Sequence, residues 1–148
     1  MSKNSGKGKE MFTEKFDKYV CDGDSISTEV EGFEIRARIV WDTDRGIDDD
    51  DGHSLDQSVT GCNDAQMEKI KAARLAYGRG DWGYCGVVLS VARNGVELSD
   101  HAASLWGIEA NYPEGDNGYL SEIANELLAE ALDYAKKEQA RILTALQG

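Results

Sequence analysis

The chain has 148 residues, 41% hydrophobic and 30% charged, with 28 acidic against 16 basic side chains and a net charge of −12. That length suits one domain that can bury a core without a disulfide or metal staple. The acidic balance argues against direct contact with nucleic acid, whose affinity comes mainly from Lys and Arg on phosphates, and no apolar run approaches the ~20 residues of a membrane span.

Residues 1–10 are polar, glycine-bearing and lysine-rich, and read as a disordered basic tail. No apolar stretch follows them, so no secretory signal is expected. The three cysteines, Cys21, Cys62 and Cys85, form no CxxC pair. With no signal, an odd number predicts reduced thiols and a cytoplasmic setting. Residues 11–148 read as a single α+β domain.

Phe12, Phe16 and Tyr19 fall at helical spacing and predict a short helix over residues 11–20. Ile26, Thr28 and Val30 alternate with polar neighbours, Glu31-Gly32 turns the chain, and Phe33, Ile35, Ala37, Ile39 and Trp41 alternate again. That period of two predicts a hairpin of two half-buried strands. Residues 42–63 follow as a long acidic loop, mobile because its aspartates repel one another. Asp64 is placed to cap a helix that runs to Tyr77, with Gly78 just past its end. Residues 82–92, rich in Val and Tyr, read as a third strand. Arg93-Asn94-Gly95 turns it into a short partner over residues 96–98. Ser99 is placed to cap a short helix through Trp106 that Gly107 ends, and residues 111–118 form a turn. Over residues 117–146, Leu120, Ile123, Ala124, Leu127, Leu128, Ala131, Leu132 and Ala135 make one continuous helical stripe. The expected fold is an antiparallel sheet of about four strands in two hairpins, packed against a long C-terminal helix and shorter helices.

Several constellations invite chemistry. Gly78 to Gly83 spells GxGxxG, but a dinucleotide site needs a strand before it and a helix after it. The order here is reversed, as for a helix-to-strand connector. The acidic loop fits no EF-hand register: counted from Asp42, position 5 is Gly46 and position 12 is His53. Cys85 and His101 are the residue types of a nucleophile and base, yet nothing in the sequence brings them together. Cys62, Cys85, His53 and His101 lack the paired spacing of a zinc site. No metal and no cofactor are therefore expected.

The charge is concentrated. Residues 21–63 carry twelve acids against Arg36, Arg38 and Arg45, a net of −9. On the last helix Glu122, Glu126 and Glu130 repeat at about 6 Å, near the spacing of phosphates along a nucleic-acid strand. Such a row suits pairing with the Arg and Lys of a basic surface. The candidate binding residues are Asp42, Asp44, Asp48, Asp49, Asp50 and Asp51, with Glu122, Glu126 and Glu130.

The segments Trp82-Gly83-Tyr84-Cys85-Gly86, His101-Ala102-Ala103-Ser104-Leu105-Trp106-Gly107-Ile108-Glu109 and Asn111-Tyr112-Pro113 resemble a group of small proteins carried by bacteriophages and plasmids. The resemblance spans about 65 residues and supplies no reaction and no catalytic residues. It implies a mobile-element setting, where small acidic proteins often serve as accessory or counter-defence factors. The expected function is stoichiometric binding, not catalysis. The protein would be an anti-restriction or anti-CRISPR inhibitor that mimics DNA and occupies a basic, nucleic-acid-binding surface on a host protein. The alternatives are a small enzyme using Cys85 and His101, and a structural protein that self-associates through exposed Trp106 and Tyr112.

Overall fold

A computed structural model describes residues 11–148; the expected basic tail at residues 1–10 lies outside them. Four strands, β1 (Ser25–Val30), β2 (Phe33–Trp41), β3 (Gly83–Arg93) and β4 (Val96–Ala110), form one antiparallel sheet in the order β1-β2-β3-β4. Between β2 and β3 lie two 3-10 turns, Ile47–Asp49 and Asp51–His53, then the helices α1 (Gln57–Thr60) and α2 (Asp64–Gly78). The chain ends in α3 (Gly118–Gln147). This is the α+β architecture of two hairpins and a long helix that the periodicities predict. None of the helices among the described residues is long and apolar enough to cross a membrane.

Strand alternation sets the two faces of the sheet. Ile26, Val30, Phe33, Ile35, Ala37 and Ile39 on the first hairpin, with Cys85, Val87, Leu89 and Val91 on β3, point to one side. There they meet Leu120, Ala124, Leu128, Ala131, Leu132 and Ala135 of α3. Tyr84 points to the other side, where it packs with Ile47, Ala73, Ala76 and Trp82 beneath α2 and the acidic loop. The sheet therefore separates a large core from a small aromatic one.

Three expectations are corrected. Residues 11–20 are not a helix. They lie as an irregular strap with Phe12, Phe16 and Val20 buried and Tyr19 exposed. The strap's backbone amides donate to side chains instead of to one another: Phe12 to Asn125 (2.8 Å), Phe16 to Ser121 (3.0 Å) and Val20 to Asn111 (2.8 Å). Glu14 also accepts from the amide of Ser27 on edge strand β1, which blunts that edge. Apolar residues every fourth position suit such a strap as well as a helix.

Residues 99–106 are not a helix either. They belong to β4, which pairs with β3 along nearly its whole length. Unpaired, β3 would present a row of buried, unsatisfied amides and carbonyls, and that tertiary demand overrides weak local helix propensity. Gly107, at φ +74°, does not end a helix. It sits where the register shifts between Cys85 and Val87, as glycine does in a β-bulge. At the same place the Trp106 ring lies against Gly86, where a Cβ would come within 2.4 Å of it. Third, the cap of α2 is Asn63, not Asp64, in a reciprocal box with Gln66 at 2.9 Å each way.

Candidate functional site

The acidic loop folds around its own carboxylates. Asp49 accepts from the Gly46 amide (2.9 Å), Asp50 from the Gly52 amide (3.0 Å) and Asp42 from the Gly107 amide (3.1 Å). Asp48 pairs with Arg74 of α2. The mutual repulsion that predicts a mobile loop is thus offset by turn and ion-pair contacts. Asp44, Asp48, Asp49 and Asp51 remain exposed, whereas Asp42 and Asp50 are partly buried. Glu122, Glu126 and Glu130 are all exposed on α3, and none has an ion-pair or hydrogen-bond partner among the described residues. Because α3 and the loop lie on opposite faces of the sheet, the two acidic groups do not form one continuous surface.

Beneath the loop is a buried polar node. Asp50 and His53, three residues apart, share one side of the second 3-10 turn, and His53 is 7% exposed. His53 Nδ1 lies 2.9 Å from Asp50 Oδ2 and 3.7 Å from Glu109 Oε2 on β4. Its Nε2 lies 2.8 Å from the Tyr112 hydroxyl. The Tyr84 hydroxyl donates to the same Asp50 oxygen at 2.7 Å. Arg74 donates to the His53 carbonyl at 3.0 Å and so fixes the turn to α2. The Trp82 and Tyr112 rings flank the imidazole, with centroids at 5.3 and 5.5 Å. The Arg45 guanidinium covers the Tyr84 ring at 5.1 Å.

These contacts set the ionisations. Burial works to raise the Asp50 carboxyl, but hydrogen bonds from Tyr84, His53 and the Gly52 amide hold it below the usual carboxylate range. Glu109 is raised, by burial first and then by the charge of Asp50, against the pull of His53 and Arg45. Burial and the Asp50 carboxylate push the Tyr84 phenol well above its ordinary value. Tyr112 is raised in the same sense, by burial and then by Glu109 and Asp50. Asp50, His53 and Glu109 each offer a ligand atom, all within 4.8 Å of one another, and are the residues here able to hold a metal.

Sequence reasoning names Asp50 and misses the rest of the node. His53 appears in a four-residue zinc reading with Cys62, Cys85 and His101, which the fold does not gather into one site, and as the residue that breaks the EF-hand register. The one local signal is Asp50-x-x-His53, a spacing that puts both side chains on one side of a turn. Glu109, Tyr84 and Tyr112 arrive from distant elements and carry no local signal.

The cysteine and histidine of the enzyme alternative are not brought together. Cys85 is fully buried on the α3 side of the sheet. Burial, and then the charge of Asp42, push its thiol up to about 12. His101 is exposed, bonds Ser104 at 2.8 Å and stacks on Trp106. That ring lies against Gly86, next to Cys85 on β3 and so on the opposite face. Tyr112 is not an exposed aromatic as expected, being partly buried against the small core; Trp106 is exposed. The GxGxxG segment is the α2-to-β3 connector, with the Asp81 amide closing on the Ala76 carbonyl at 2.9 Å.

No protein-family model, curated protein or solved structure matches this chain.

Proposed function

We propose that the protein acts by stoichiometric binding to a partner with a basic, nucleic-acid-binding surface, as a counter-defence factor of a mobile element would. The observation that carries this reading is the row of Glu122, Glu126 and Glu130. All three are exposed, uncompensated among the described residues, and carried on a helix whose opposite face is buried in the core. The helix fixes the backbone positions of the row before binding, so only side-chain rotamers are ordered at contact, which favours recognition of a fixed array of Arg and Lys. The exposed loop acids Asp44, Asp48, Asp49 and Asp51 lie on the other side of the sheet. Their contribution is to the field that steers encounter, not to the same contact. A single exposed ion pair contributes only about 0–1 kcal/mol, so the effect is collective and falls with salt.

The test is an affinity pull-down from a bacterial host lysate at low and high salt, with captured proteins identified by mass spectrometry. A nucleic-acid-binding protein that is retained at low salt, lost at high salt, and lost by the variant with Glu122, Glu126 and Glu130 changed to Gln supports the reading. Equal capture by the variant at both salts overturns it.

A further inference from the structure

Two carboxylates converge on one buried imidazole nitrogen from separate parts of the chain. Asp50 Oδ2 and Glu109 Oε2 lie 2.9 and 3.7 Å from His53 Nδ1. We propose that Asp50, His53 and Glu109 form a three-ligand site for a first-row divalent cation of the zinc class, which ties the acidic loop to β4. This goes beyond the binding reading above and does not depend on it.

The separations fit such an ion. Metal–ligand bonds of about 2.0–2.2 Å place neighbouring ligand atoms roughly 3–3.5 Å apart. The two distances to Nδ1 bracket that range, and all three donors lie within 4.8 Å. Glu109 is the arm that closes the wide edge, because its side chain is 35% exposed and free to shift, while those of His53 and Asp50 are 9% and 17% exposed. The surroundings orient the ligands as outer partners do in metal sites. Tyr84 donates to Asp50, and the Gly52 amide holds the other oxygen of the same carboxylate. Tyr112 sits on Nε2, so an Nε2–H can donate to its hydroxyl while Nδ1, stripped of its proton, faces the ion. The Arg45 guanidinium, over Tyr84, is a positive charge near the node. It offsets only part of the repulsion between two half-buried carboxylates, and a divalent ion between them removes it.

The donor set selects the ion. Calcium and magnesium take six or more oxygens, whereas one imidazole nitrogen with two carboxylate oxygens suits zinc or cobalt and leaves a position for water.

Full-length protein freed of metal with a chelator is titrated calorimetrically with zinc, and in parallel with calcium. Cobalt serves as a visible-absorption probe. One zinc per chain is expected, with a melting temperature that rises with zinc concentration and little response to calcium. Glu109→Gln, at a half-exposed position, keeps the fold by circular dichroism and weakens zinc binding at least about tenfold. Asp50→Asn likewise weakens zinc binding, and Glu109→Gln is the decisive variant because Asp50 also holds the turn through the Gly52 amide. The variants Cys21→Ser, Cys62→Ser and His101→Gln, which remove donors outside the node, leave the affinity unchanged. Absence of saturable zinc binding overturns the proposal. So does affinity that survives Glu109→Gln in folded protein, or that is lost with the outlying donors instead. The pull-down result does not bear on any of these readouts.

Discussion

Leu127 and Leu128 are neighbours on α3 with different surroundings. Leu128 is 2% exposed and sits among the core residues of the sheet, while Leu127 packs at the margin of that core. Leu128→Ala is therefore expected to cost about 2–5 kcal/mol in denaturant unfolding, and Leu127→Ala clearly less, since its neighbours can fill the smaller space. Equal costs would contradict this placement. Cys85 makes a second residue-scale prediction. Its thiol keeps its proton up to about 12 when folded, against an ordinary value of 9.0. Between those values the unfolded chain binds fewer protons than the folded one, so stability falls as pH rises through that window. Site-resolved alkylation should label exposed Cys21 quickly at pH 8 and Cys85 only as fast as the chain unfolds. Rapid native labelling of Cys85 would show that the strand is open to reagent.

The helix α3 changes character along its length. Its buried residues run from Leu120 to Ala135, and from Lys136 onward none is buried. Those last residues have few apolar contacts to hold their hydrogen bonds, and the ion pairs that support them lie on the surface: Lys136 with Glu31, Lys137 with Asp133 and Glu138 with Arg141. Amide exchange followed by mass spectrometry should show strong protection over residues 120–135 and fast exchange over 138–147. Uniform protection to the end would mean that a further surface covers the last three turns. The strap at residues 11–20 is the complementary case. It has no hydrogen-bonded ladder of its own, yet its buried aromatics and its bonds to Ser121, Asn125 and Asn111 make it part of the core.

At the scale of the whole molecule the sheet divides the charge. The helix row lies on one side and the loop acids on the other, so neutralising each separates contact from steering. The variant with Glu122, Glu126 and Glu130 changed to Gln should slow association with a basic partner and also speed its dissociation. Changing the exposed Asp44 and Asp51 to Asn should lower the association rate alone, and only at low salt, whereas Asp48 and Asp49 are spared because they hold Arg74 and the Gly46 amide. Association kinetics across a salt series separate the two effects. Asp50 is left out of that set because it is held by Tyr84 and His53, and its loss would disturb the loop itself.

The sequence by itself determined the elements that carry a strong period. The eight-position stripe of α3 and the alternation in β2 follow from apolar residues sharing one side of a regular backbone. Their pairing into an α+β sandwich follows from the need to bury both. Tertiary structure alone decided the segments whose local preference is weak. Residues 99–106 became strand because β3 needed a partner, and residues 11–20 became a strap because α3 offered acceptors for their amides. It decided the polar node too. His53, Tyr84, Glu109 and Tyr112 meet only when the 3-10 turns dock against β3 and β4. No period or spacing encodes contacts between residues that far apart in the chain, so the net charge was legible from composition while the cluster beneath the loop was not.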